Sequence, residues 1–142
     1  MKKNELISYF FICMAFFMSS CSSDKMSKDD FIGTWKIDDV TVKIDSRTIV
    51  EPERSELGKI TFDEGKVVSE GRYSITSSGE PGYIDGNTLW AGWEINEKTM
   101  QIKINGFLWT VRKVVDDAIE LSSITDSYRD GMKEYHIYLS KQ

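Results

Sequence analysis

From Gly33 onward, apolar and polar residues alternate in short runs broken by turn residues. Period two is the pattern of a strand with one buried face. Thr34–Ile44 carries Trp35 and Ile37 on one parity and Val40, Val42 and Ile44 on the other. A strand changes parity only by inserting a residue, so a bulge is predicted near Asp38-Asp39. Lys59–Phe62 places Ile60 and Phe62 on one face, and Val67–Thr76 aligns Val67, Ser69, Gly71, Tyr73 and Ile75. Leu89–Ile95 aligns Leu89, Ala91, Trp93 and Ile95, and Met100–Ile104 alternates against Gln101 and Lys103. Phe107–Val115 turns Phe107, Trp109 and Val111 inward, Ala118–Ile124 turns Ile119 and Leu121, and Lys133–Ser140 turns Tyr135, Ile137 and Leu139. Asn105-Gly106 is a strong hairpin signal, because both residues tolerate the positive φ of a type I′ turn. Before the strands, Ser27 followed by Asp29 and Asp30 reads as a helix N-cap, so one helical turn is predicted over 28–32.

These eight one-faced strands predict an all-β domain, an eight-stranded antiparallel up-and-down barrel with a short N-terminal helical turn. Eight strands close with an interior that side chains nearly fill, and closure leaves no exposed edge. In a meander, alternate loops fall at opposite ends. One end takes 63–66, 96–99 and 116–117, all tight; the other takes the longer 45–58, 77–88 and 125–132 beside the tight Asn105-Gly106. That asymmetry predicts a closed base and an open, loop-decorated mouth.

The N-terminus adds location. Lys2 and Lys3 precede a 13-residue apolar run, Leu6 to Met18, and then Ser19-Ser20-Cys21. This is the layout of a secretory signal, too short to span a hydrocarbon core that needs about 20 residues. It resembles a bacterial lipoprotein signal, which implies a lipid on Cys21. The expected organisation is a signal peptide over 1–20, a lipidated tether over 21–27 and a barrel domain over 28–142. One acyl chain holds marginally and two or three hold stably. The expected place is the cell envelope, anchored to a membrane, with the outer membrane favoured. Of the two cysteines, Cys13 leaves with the signal and Cys21 carries lipid, so no thiol remains for a disulfide, a metal or catalysis.

Charge narrows the partners. The chain has 18 basic and 23 acidic residues; without Lys2, Lys3 and Glu5, 16 and 22 remain, a net charge near −6. Nucleic acid binding wants a basic face, so it is not expected. The domain is expected to be monomeric, with its lipid as the membrane contact.

Catalytic chemistry finds no set of residues. His136 is the sole histidine and lies on the outward parity of its strand, as a solvated residue would. No Ser–His–acid group, zinc spacing or phosphate loop can be assembled, so no enzyme, cofactor or metal is expected. The pairs Asp29-Asp30, Asp38-Asp39 and Asp116-Asp117 fit caps and turns. Tyr83, Asp85, Glu51, Glu53 and Glu56 sit in long loops where a cation or basic partner could meet them, as could plain solvent.

Gly33-Thr34-Trp35 after the helical turn resembles the Gly-x-Trp signature of lipocalins. With Ile60–Gly65, Gly71-x-Tyr73-x-Ile75 and Tyr135-x-Ile137-x-Leu139, the chain is similar to the small lipocalin-like lipoproteins of Bacteroidota. The resemblance covers roughly 30–141. It implies a structural role for Gly33 and Trp35, with a basic side chain, Lys141 or Lys113, covering the Trp35 ring. It also implies a small apolar or amphipathic ligand at the mouth; inward parity and the long-loop end would set it against Tyr73, Leu89, Trp93, Phe107, Trp109 and Tyr135. Those same rings would serve equally as core filling. The alternative is then an interaction protein with a solid core, whose long loops contact an envelope partner.

Overall fold

The computed structural model describes residues 25–129 and 131–142, without the side chains of 48–50 and 127. The signal, Cys21 and most of the tether lie outside the described residues.

One short helix, α1 (Lys28–Phe31), precedes eleven strands: β1 (Gly33–Ile44), β2 (Arg47–Val50), β3 (Lys59–Phe62), β4 (Lys66–Glu70), β5 (Tyr73–Ile75), β6 (Pro81–Tyr83), β7 (Leu89–Asn96), β8 (Gln101–Ile104), β9 (Phe107–Val115), β10 (Ala118–Ser127) and β11 (Gly131–Lys141). The main sheet runs β11-β10-β9-β8-β7-β4-β3-β1, with β2 added beside β1, and β11 pairs back onto β1. Eight strands thus close into an antiparallel up-and-down barrel. Each wall strand buries alternate residues, as the period-two pattern requires. The bulge falls where the parity break predicts it, with the β1–β11 register shifting between Ile37 and Asp39. Trp35, Ile37, Val40 and Val42 can therefore all face the core.

Helix α1 closes the base. Asp30 caps it by accepting from the Ser27 backbone N–H at 2.7 Å and from its hydroxyl at 3.0 Å. These bonds hold the Asp30 carboxyl below its ordinary pKa of 3.8. Phe31 is fully buried and its carbonyl accepts the Trp35 indole N–H at 2.8 Å.

At the other end the expectation of an open mouth fails. The predicted single strand over 67–76 breaks at Gly71, which takes φ +109. An added Cβ there would lie 2.5 Å from the Gly58 Cα, so two backbones cross where only glycines fit. Past Gly71 the chain leaves the wall and forms the hairpin β5–β6, registered Tyr73↔Tyr83 and Ile75↔Pro81. Tyr73, Ile75 and Ile84 are buried beneath or within it. The hairpin is a roof over the barrel. The loop over 125–132 is also shorter than predicted, because β10 and β11 extend to Ser127 and from Gly131.

Candidate functional site

The six residues expected to meet a ligand do not form one site. Trp93 belongs to the base. Its ring lies 4.8 Å edge-on from Phe62 and 6.1 Å from Phe31, and its indole N–H donates to the Asp63 carbonyl at 2.6 Å. Lys28 Nζ stands 5.7 Å over the same ring. The structural trio is also at the base. Lys141 Nζ lies 5.5 Å over the Trp35 ring and donates to the Asp30 carbonyl at 2.8 Å. A Cβ on Gly33 would approach the Lys141 Cε at 3.3 Å.

Phe107, Trp109 and Tyr135 cluster at the upper end. Phe107 is 5.2 Å from Trp109 and 5.9 Å from Tyr135, centroid to centroid. Leu89 is half-buried at the start of β7. Tyr73 sits on the roof rather than on the wall, T-stacked on Tyr83 at 5.0 Å. Burial, with the nearby Tyr83 and Tyr135, pushes the Tyr73 phenol up to about 12.

The roof is fastened on both sides. Trp109, fully buried, donates its indole N–H to the Gly79 carbonyl at 3.0 Å. Asn105 Nδ2 donates to the Ser77 carbonyl at 2.5 Å. Gly79 is pressed so closely that a Cβ would lie 2.1 Å from the Ile104 carbonyl oxygen. On the other side Gly58 N–H donates to the Tyr73 carbonyl at 2.8 Å, and Gly58 O accepts from Ile37 N–H at 3.0 Å. The Tyr83 hydroxyl donates to Glu56 at 2.9 Å, and Arg72 pairs with the same carboxylate at 3.3 Å. Glu56 and Tyr83 are thus bonded to each other, while the Tyr83 ring stays half exposed. Below the roof Ile102, Ile104, Trp109, Ile119, Leu121 and Ile137 are at most 1% exposed, so side chains fill the interior there.

The outer wall holds the chemistry that sequence reasoning missed. His136 does lie on the outward parity, but it is not freely solvated. Its Nδ1 is 2.6 Å from Glu120 and its Nε2 2.5 Å from Glu134. Arg112 donates to Glu120 through Nε at 2.9 Å and also through its terminal nitrogen. Glu120 is only 6% exposed. Burial works against its charge, but the bonds from Arg112 and His136 outweigh that and hold its carboxyl below 4.5. The bond to His136 likewise lowers Glu134. Burial would lower the pKa of His136; the bonds to Glu134 and Glu120 more than offset it and raise the imidazole above 6.5. The signal was in the sequence: Glu120, Ser122, Glu134 and His136 share the outward parity of two adjacent strands.

Among the described residues no group of three His, Cys, Asp or Glu side chains converges as a metal site would. The Ser122 side chain stands on the same outer face as the acid–imidazole–acid row, opposite His136 in the β10–β11 ladder, but among the described residues no hydrogen bond joins it to the row. The row can orient and hold a polar group.

No known protein family matches the chain, and no characterised protein matches it in sequence. Among solved structures, lobster apocrustacyanin A1 is similar at 16% identity and a TM-score of 0.40, over 82% of this chain and 63% of that one. Apocrustacyanin C2 is similar at 16% identity and a TM-score of 0.41, over the same shares. The chain spans less than two thirds of the length of either.

Proposed function

We propose that this chain is a lipid-anchored, non-enzymatic binding module of the bacterial cell envelope, which binds through the outer surface and rim of a filled barrel. The lipoprotein-like signal ending at Cys21 supports the anchor. One observation carries the choice of surface: the Trp109–Gly79 bond ties the β5–β6 roof across the mouth, over a core with no exposed side chains beneath it. A ligand entering from above would have to break that bond and lift Tyr73 and Ile75. A carrier with a ready interior cavity is therefore less well supported than a module that recognises its partner from outside. The exposed Tyr83 and Tyr128, on the loops of the roofed end, favour a protein partner as a second reading.

The test uses brominated fatty acids, whose bromines quench the tryptophans they touch. Titrated into the anchored chain, they should leave Trp93 and Trp109 emission unchanged. Saturable quenching of these tryptophans that strengthens in Gly79→Ala would return the ligand to the interior and overturn the outer-surface reading.

A further inference from the structure

Strands β9 and β10 are zipped over only part of their length. Their ladder runs from Val115↔Ala118 to Thr110↔Ser122 and ends there, although β9 begins at Phe107 and β10 continues to Ser127. Above that pair, β9 stays on β8 and β10 stays on β11. At that end Asn105, in the β8–β9 turn, is bonded to Ser77 of the roof, and Trp109 of β9 to Gly79.

A groove of about 560 Å³ opens where the ladder stops. Residues of both parities line it: Leu108, Ser122 and Ile124 from the outer face, Phe107 and Ser123 from the inner one. The backbone ladder has ended there, but the Ser123 hydroxyl still bridges to the Leu108 carbonyl at 2.7 Å, and the groove lies beside the Phe107 ring that stacks on Trp109 and Tyr135. Its ionisable lining residues are Glu134 and His136.

We infer that this lateral groove is a binding site for a small cationic amphiphile, its apolar body against Phe107, Leu108 and Ile124 and its ammonium on Glu134. The inference rests on the binding-module reading above. Charge selects the head group. Both nitrogens of His136 are engaged by carboxylates, so the imidazole offers nothing to an anion. Glu134 meets His136 through one oxygen, and an ionised carboxylate can accept more than one hydrogen bond. An ammonium has three donors and no acceptor; the carboxylate takes one in a charge-assisted bond, and the Ser122 hydroxyl stands on the same lining. No lysine or arginine lines the groove itself; Lys43, the ladder partner of Glu134 on β1, competes for that carboxylate, and the net charge of −5 draws cations in.

Octylamine, octanol and octanoate share one chain and differ in the head. Each would be titrated into the ¹⁵N-labelled full chain on lipid nanodiscs, with partition into empty nanodiscs subtracted. Octylamine should shift the amides of Leu108 and Ser122–Thr125 and bind about tenfold tighter than octanol, the factor that one charge-assisted bond of about 1.4 kcal/mol confers. Octanoate should shift nothing there. Glu134→Gln should erase the amine's advantage while the rest of the spectrum stays unchanged, and Ser122→Trp should plug the groove. An equal response to octanoate, or an amine response that survives Ser122→Trp, overturns the site. Shifts centred on Tyr73 and Ile75 that grow in Gly79→Ala would overturn this site and the outer-surface reading together. Silence from the amine, with the brominated fatty acids also silent, overturns this site alone.

Discussion

Lys141, near the end of the last strand, lies with its ammonium 5.5 Å over the ring of Trp35, in the first strand. The contact joins the two strands that close the barrel, and Trp35↔Lys141 is also the end pair of their ladder. Trp35 is 1% exposed and Trp90 is 71% exposed. Trp35→Ala should therefore cost roughly 3–5 kcal/mol, as large aromatic truncations in cores do, and Trp90→Ala less than about 0.5 kcal/mol. Chemical denaturation of the two variants checks the contrast.

Lys141→Met keeps the side chain's apolar stem and removes its charge. It should cost about 1 kcal/mol through the lost contact with the ring and the lost bond to the Asp30 carbonyl. Lys141→Arg should hold close to the parent. Equal losses for both would show that the charge contributes nothing.

Trp109→Phe keeps most of the ring and strips the roof of one fastening. It should cost about 1–3 kcal/mol, because the Gly79 carbonyl loses its buried donor. Amide exchange should quicken first at Ile84 and Gly79, whose N–H groups bond to the Arg72 and Thr76 carbonyls, before the wall strands respond. Uniform acceleration across the barrel would mean that roof and wall open as one unit.

The acid–imidazole–acid row predicts a pH profile with two flanks. The pKa of His136 is raised above 6.5 in the folded chain, so its contribution is complete below 6.5 and is lost as pH rises through the raised value. Glu120 and Glu134 are lowered below 4.5, so theirs is complete above 4.5 and is lost as pH falls through the lowered values. The row should thus stabilise most between about pH 4.5 and 6.5. His136→Gln should flatten the upper flank in thermal melts across pH. An unchanged slope above pH 6.5 would mean that His136 does not stay between its carboxylates in solution.

Cys21→Ala should release the chain from membranes, because it removes the proposed acylation site. Fractionation with metabolic palmitate labelling is the measurement. Unlabelled protein that still sediments would mean that the apolar run over 6–18 is itself the anchor.

The wall of the barrel was legible in the sequence because period two is a local property. Each strand announces its buried face by itself, and even the bulge in β1 showed as a parity change between Ile37 and Val40. The roof was not legible. Val67–Ile75 keeps one parity throughout, so nothing local marks Gly71 as the place where the chain leaves the wall. That departure is set by the crossing with Gly58, a distant partner. His136 was misjudged for a related reason. Outward parity predicts solvent only when the outer neighbours are short or like-charged; here Glu120 and Glu134 engage both ring nitrogens, and Arg112 fastens Glu120. The scattered site residues follow the same rule. Inward parity told that Trp93, Phe107, Trp109 and Tyr135 face the core, but not that base and roof would divide them.

The pairing of β1 with β11 also sets an order in time. One edge of the first wall strand has no partner until the last strand has been made. A ribosome therefore releases a chain that cannot complete its ladder, and non-local closure of this kind is slow by nature. Its early strands pair among themselves, but that edge of β1 stays open until the last strand arrives. Whatever receives the chain in that interval meets alternating apolar strands such as Phe107–Val115 before they have a barrel to face into.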